Sequence, residues 1–198
     1  MPDLEVKIGE NNEILLRGKT ITTGYYKKPE ATAAAIDKDG WFHTGDAGYL
    51  KGNHFYLTER IKDLFKTSNG KYISPQALET KLSIDRYIDQ IAVIADQRKF
   101  VSALIVPVYG LVKNYAKEKG LEYKDMTDLL QHPKVQALFR ARIDTLQQQF
   151  AHYEQVKRFT LLSEPFSMER GELTNTLKLK RSVVAKNYKE LIDKMYEE

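Results

Sequence analysis

The chain of 198 residues is long enough for one domain, or for one domain and part of a second. At 42% hydrophobic and 29% charged it can bury a core, which excludes wholesale disorder; having no cysteine, it excludes a disulfide framework, a thiolate nucleophile and a thiolate-held metal. The net charge of +4 and a pI near 9.0 suit an anionic ligand such as a nucleotide, although Lys and Glu alternate in most segments as on a solvated mixed-charge surface.

The N-terminal residues Met1-Pro2-Asp3-Leu4-Glu5-Val6-Lys7 lack the basic start and apolar stretch of a signal peptide, and no apolar run approaches the ~18 residues of a membrane span. A cytoplasmic protein is therefore the expectation. Glu13 to Arg17 reads as a short strand ending at Gly18. Pro29 opens a helix that runs through Ala31 and Ala33–Ala35 and stops near Asp39-Gly40. Phe55 to Leu57 is a second short strand behind the turn-like Lys51-Gly52-Asn53. Ser74-Pro75 has the pattern of a helix cap followed by proline in the first turn. Ile88–Ala95 and Ser102–Val108 are β-branched runs split by the polar turn Asp96-Gln97-Arg98-Lys99, and so read as neighbouring strands. Tyr109–Lys119 and Val135–Phe150 have helical apolar spacing, Val156–Leu162 reads as a strand, and Ser182–Tyr196 as one closing helix. The expected fold class is α+β: a small α+β domain over residues 62–198, preceded by a β-rich piece, residues 1–61, too small to bury a full core alone. The histidines at 43, 54, 132 and 152 are scattered, and the spacing predicts no metal site.

Three segments carry groups that could do chemistry. In Gly40-Trp41-Phe42-His43-Thr44-Gly45-Asp46 two glycines frame an aromatic pair and the segment closes on a carboxylate; a turn of this kind can hold Asp46 outward to accept hydrogen bonds from vicinal hydroxyls, or Asp46 can simply cap local backbone. In Thr58–Pro75 basic and apolar residues alternate, so that strand geometry places Arg60 and Lys62 on one face, either to meet an anion or to guard a solvated edge. In Gly171–Arg181 two threonines and Asn175 precede Lys178, Lys180 and Arg181; a lysine on such a loop can reach a phosphate or carboxylate, or the cluster is the solvated start of a helix.

In order and spacing the three segments resemble signature motifs of the adenylate-forming, AMP-binding superfamily: acyl-CoA synthetases, peptide-synthetase adenylation domains and luciferases. The approach from Gly24-Tyr25-Tyr26 through Pro29-Glu30-Ala31-Thr32 to Asp46 looks like the family's route to its ribose-binding aspartate. Thr58–Thr67, the ending Leu173-Thr174-Asn175-Thr176-Leu177-Lys178-Leu179-Lys180-Arg181 and the long Tyr109–Glu154 segment are similar to the long-chain fatty acyl-CoA synthetases in particular. The chain departs from the family at Asn175, where proline is frequent, at Leu177, where short- and medium-chain members often have glycine, and at Ala47, where a larger aliphatic residue is common.

The resemblance implies a ligase in which a fatty acid attacks the α-phosphate of ATP, giving acyl-adenylate and pyrophosphate, after which CoA displaces AMP, with magnesium accompanying the ATP. It implies that Asp46 and Arg60 bind the nucleotide, that Lys178 is the adenylation lysine and that Lys62 is a hinge. The small C-terminal domain would turn about that hinge, exchanging Lys178 for a CoA-approach loop formed by Lys66, Ser68, Asn69, Gly70 and Lys71. The family's phosphate loop has no counterpart here. Residues 1–61 are therefore expected to be the end of a large N-terminal domain, residues 62–198 the mobile small domain, and the chain by itself inactive. The other readings are a fatty acyl-AMP ligase, a peptide-synthetase adenylation domain, or a basic interaction module. No nucleic-acid partner is expected; the chain's own N-terminal domain is an expected partner, and peripheral membrane association is open.

Overall fold

A computed structural model describes residues 3–197 and contains seven α-helices and nine strands among them. The chain divides into two compact units, Met1–Leu64 and Phe65–Glu198. No helix among the described residues is long and apolar enough to cross a membrane.

The first unit is an antiparallel sheet in the order β1 (Leu4–Ile8), β2 (Glu13–Gly18), β3 (Phe42–Lys51), β4 (His54–Arg60), with the short helix α1 (Pro29–Ala35) between β2 and β3. Trp41 is its largest buried side chain, with the Lys7 ammonium 4.0 Å from the ring centroid and the Arg17 guanidinium at 4.5 Å. Glu5 in turn grips Arg17 at 2.6 and 3.1 Å.

Of the predicted turn over Gly40–Asp46, only Gly40 belongs to a turn, its N–H donating to the Asp37 carbonyl at 3.0 Å; Phe42–Asp46 is instead the opening of β3, a strand ten residues long. Its glycines are demanded by the strand's irregularity. The β3–β4 register shifts between Ala47 and Gly48, and a Cβ at Gly48 would lie 2.5 Å from the Tyr56 carbonyl oxygen. Strand alternation also stops at Arg60, because Ile61–Asp63 forms a single 3-10 turn; Arg60 and Lys62 therefore do not share a strand face.

The second unit, which begins at Phe65, has the expected α+β fold class. Strands β5 (Phe65–Lys66) and β6 (Tyr72–Ile73) make a small hairpin. A second sheet runs β7 (Ile88–Ile94), β8 (Val101–Pro107), β9 (Val156–Leu161), with β7 antiparallel and β9 parallel to β8. Strand β8 is buried along its whole length because helices cover both faces. Val101, Ala103 and Ile105 face one core with Leu78 and Leu82 of α2 (Pro75–Leu82), Val112 of α3 (Tyr109–Glu118), Leu129 of α4 (Met126–Gln131) and Phe139 and Ile143 of α5 (Pro133–Leu146). Leu104 and Val106 face the other, with Val184 of α6 (Arg181–Asn187) and Ile192 of α7 (Lys189–Lys194).

Ser74 caps α2 as expected, its hydroxyl accepting from the Ala77 N–H at 3.2 Å with Pro75 in the first turn. The closing helix is two, α6 and α7, interrupted at Tyr188, whose ring packs edge-on against Phe166 at 5.7 Å. Helix α4, too short to show an apolar period in the sequence, is only six residues long and is capped by Asp125, whose side chain accepts from the Asp128 N–H.

Candidate functional site

In the first unit Asp46 and Arg60 are directly paired across β3 and β4, and cross-strand partners lie close enough for their side chains to meet. Arg60 Nε stands 3.5 Å from Asp46 Oδ1, with the arginine side chain 63% exposed and the carboxylate 32%. So loose and wet a pair stabilises the fold by less than ~1 kcal/mol. It leaves a carboxylate acceptor and a planar set of donors side by side, both with bonding capacity to spare.

The segment before Asp46 is fixed by Glu13, whose carboxylate accepts from the Gly45 N–H at 2.9 Å and meets His43 Nδ1 at 2.8 Å. Thr44 Oγ1 donates to the Ile14 carbonyl at 2.7 Å and accepts from the Asp46 N–H at 3.1 Å. Gly45 takes φ +70°, open to glycine at little cost. A cleft of about 450 Å³ lies here, lined by Asn11, Glu13, Thr44, Gly45, Arg60 and Lys62 among others. Lys62 is the middle residue of the 3-10 turn that closes this unit. Sequence reasoning missed Glu13 and Thr44, since their partners lie some thirty positions away and no local pattern marks them.

In the second unit Lys66 ends β5, and Ser68, Asn69, Gly70 and Lys71 form the tip of the β5–β6 hairpin. Thr67 closes the tip: its N–H donates to the Lys71 carbonyl at 2.9 Å, its hydroxyl accepts from the Lys71 N–H at 3.1 Å, and its carbonyl takes the Gly70 N–H at 2.9 Å. The Ser68 N–H is bound to the Arg98 carbonyl, so the loop is tied to the turn between β7 and β8. Gly70 has φ +73°, and a Cβ there would meet nothing within 4 Å; the backbone is bare and approachable. Lys66 and Lys71 stand over the rings of Tyr72 and Tyr153 at 5.8 and 5.6 Å.

Lys178 sits on a second hairpin, Leu173–Leu179, whose ends form a β-bridge. The Thr174 N–H donates to the Lys178 carbonyl at 2.8 Å, and Thr174 Oγ1 accepts from the Lys178 N–H at 3.0 Å. Leu177 is forced to φ +59° with its side chain exposed. An L-residue there carries a penalty of roughly 1–2 kcal/mol that glycine escapes, which rationalises glycine as the alternative at this position. Leu177→Gly is expected to stabilise the unit by about 1 kcal/mol, read as a higher urea midpoint at unchanged slope.

The roots of the two hairpins meet. The Arg181 guanidinium lies 5.5 Å from the Phe65 ring and binds Glu79 of α2, its Nη2 at 2.6 Å from Oε2; Glu79 Oε1 also accepts the Val93 N–H at 2.8 Å. A cavity of about 330 Å³ opens beside this junction, lined by Phe65, Val93, Leu179, Arg181 and Val184 among others. Within the second compact unit, then, the structure brings the Lys178 hairpin and the Lys66–Lys71 loop to a common base.

Beneath the Lys178 hairpin lies Glu172, a fully buried carboxylate. It accepts from Arg170 Nε at 3.1 Å, from Asn187 Nδ2 at 3.1 Å and from the Ser167 N–H at 3.0 Å. Burial pushes its pKa upward, but the Arg170, Asn187 and Ser167 bonds outweigh burial and hold it below the ordinary carboxylate value. The network's contribution to stability is therefore complete above that ordinary value and is lost as pH falls through the lower folded one. Among the described residues no group of three or more His, Asp or Glu could hold a metal.

Residues 62–198 match the family described as the AMP-binding enzyme C-terminal domain. The chain is 36% identical over 192 residues to the peroxisomal long chain acyl-CoA synthetase 6 of Arabidopsis thaliana, covering 94% of this chain and 27% of that protein. It is 32% identical over 201 residues to the long-chain-fatty-acid–CoA ligase FadD15 of Mycobacterium tuberculosis, covering 99% and 33%. It thus spans about a third or less of the length of these relatives. In fold it is similar to the adenylation domain of a carboxylate reductase from Mycobacterium chelonae, with a TM-score of 0.70 at 24% identity over 98% of this chain and 31% of the other. An adenylation and carrier didomain from Segniliparus rugosus, solved with AMP, gives 0.69 at 24% identity, over 98% of this chain and 28% of that one.

Proposed function

The chain belongs to the AMP-binding enzyme C-terminal domain family, and from that premise we propose that it is the C-terminal part of a long-chain fatty acid–CoA ligase. The observation that carries the reading is the identity of 32–36% over nearly the whole chain to relatives named for that activity. The site geometry agrees with it. Asp46 and Arg60 present an acceptor and donors together at 3.5 Å, as the hydroxyls and phosphate of a nucleotide require. Lys178, on a hairpin of fixed backbone, supplies a compact cation to bridge the fatty acid carboxylate and the α-phosphate of ATP. The bare Gly70 backbone, on a loop tied down at Ser68 and Thr67, offers close passage to the pantetheine arm of CoA. Magnesium would arrive on the phosphates of ATP; the described residues offer it no ligand cluster of their own.

In this reading Lys62 is the pivot, and the second unit turns about it between the two half-reactions. Because both hairpins stem from one base at Arg181 and Phe65, a single rotation exchanges one for the other. The chain alone is expected to be inactive, and its own N-terminal domain to supply the remaining ATP and acyl contacts.

An intact protein carrying this chain, given ATP, magnesium, palmitate and CoA, is expected to release AMP and pyrophosphate with stoichiometric thioester, whereas the 198-residue chain gives none. Thioester formation without AMP release, or turnover by the chain alone, would refute the assignment.

A further inference from the structure

We propose that Glu172 is the positioning residue for Lys178. Its carboxylate fixes the root of the hairpin that aims the lysine. The inference rests on the reading of Lys178 as the adenylation lysine, and concerns a residue that touches no substrate.

The geometry supporting it runs through both chain directions. Glu172 immediately precedes the Leu173–Leu179 bridge, and its carbonyl accepts the Lys180 N–H at 2.7 Å, so its backbone closes the hairpin at the base. Its side chain points the other way, into the unit, and is held from three separate places. Arg170 binds both carboxylate oxygens through Nε at 3.1 Å, Asn187 reaches Oε1 from the end of α6, and the Ser167 N–H reaches Oε2. Arg170 is itself anchored on the Pro165 carbonyl and on Glu164. The outer part of the hairpin has far less to hold it: Leu177 is exposed, and the turn is closed by Thr174 alone, through its backbone and its hydroxyl. Two residues beyond the bridge the chain enters α6 through Arg181. A carboxylate buried at the root, charged and fully partnered, removes the hinge freedom that so short a hairpin would otherwise have. Aim matters because a catalytic group displaced by about 1 Å can cost on the order of 10²-fold in rate.

Glu172→Gln keeps the shape and removes the charge. In the 198-residue chain, amide hydrogen exchange at Lys178 and Lys180 is expected to quicken by about tenfold or more, with the β8 amides unchanged. In the intact ligase, acyl-adenylate formation is expected to fall by about ten- to 10²-fold in kcat with little change in the KM for ATP. Thioester formation from supplied acyl-adenylate is expected to continue, and the loss not to add to that of Lys178→Ala. Unchanged hairpin exchange, or equal loss in both half-reactions with quicker exchange throughout β8, overturns the proposal. Should Glu172→Gln not fold, Asn187→Ala removes one of the three anchors and is judged by the same criteria. Full adenylation by Lys178→Ala would instead refute the reading of Lys178, a separate result that the exchange data do not touch.

Discussion

Lys178→Ala, made in an intact ligase carrying this chain, is expected to slow acyl-adenylate formation on the order of 10²–10³-fold, the loss typical of removing one preorganised charge from a developing transition state. Thioester formation from supplied acyl-adenylate and CoA is expected to survive largely intact. The asymmetry is the informative part. If Lys178 served only the fold, both half-reactions would fall together. If it acts where negative charge gathers between carboxylate and α-phosphate, only the first step depends on it. The backbone around it argues against a structural role for the side chain: the hairpin is closed by the Thr174 hydroxyl, the Leu173–Leu179 bridge and the Lys180 N–H, all of which survive truncation at 178. Normal rates in both half-reactions would show that the lysine has been misassigned, and Asp46 and Arg60 would need fresh evidence too. Measuring the steps separately is essential, since a single overall rate cannot tell a lost charge from a lost rotation.

What the sequence made legible follows from how local the physics is. The start of α2 is readable because cap and first-turn proline are adjacent, and β7 and β8 because both are rich in Ile and Val; β8 also has the near-continuous apolar run of a strand covered on both faces. Strand β3 is not, because Gly45, Asp46 and Gly48 carry the local signature of a turn. Those glycines serve a bulge and a close approach to Ile14 and Tyr56, contacts that exist only once the sheet has formed. The break at Tyr188 was hidden for a similar reason, since the apolar spacing runs on from α6 to α7 and only the packing against Phe166 marks the interruption.

The candidate site divides along the same line. Asp46, Arg60 and Lys178 were named through a family resemblance spread over the chain, but the groups that hold them were invisible. Glu13 acts on Gly45 from thirty-two positions away, and Glu79 reaches Arg181 across 102. Glu172 stood in plain sight beside Gly171, yet a lone carboxylate before an apolar residue gives no hint that it is buried with Arg170 and Asn187. Residues that touch ligands leave motifs; residues that aim them leave distances.

Phe139→Ala is expected to destabilise the second unit by about 3–5 kcal/mol, lowering Tm on the order of 10–20 °C. Phe139 is fully buried on α5, its ring edge-on to Tyr87 at 6.1 Å. Tyr87 also lies under the Arg142 guanidinium at 4.7 Å, and Arg142 binds the buried Asp85 at 2.7 and 2.8 Å, so one aromatic contact joins α5 to the turn between α2 and β7. Truncation loses the ring's transfer energy, the aromatic pairing, and the contacts of atoms left facing a void. Phe139→Leu, which fills most of the space, should cost less than half as much. The pair of variants tests more than one side chain. The segment from Tyr109 to Glu154 lies between β8 and β9 and supplies Val112, Leu129, Phe139 and Ile143 to one of the two cores. An appendage could lose Phe139 for less than 1 kcal/mol, the usual scale of surface changes. A loss several times larger would mean that the strands carrying both hairpins are stable only with this segment packed beneath them. The long insertion would then be a condition of the site's rigidity, acting through the sheet from the face opposite α6.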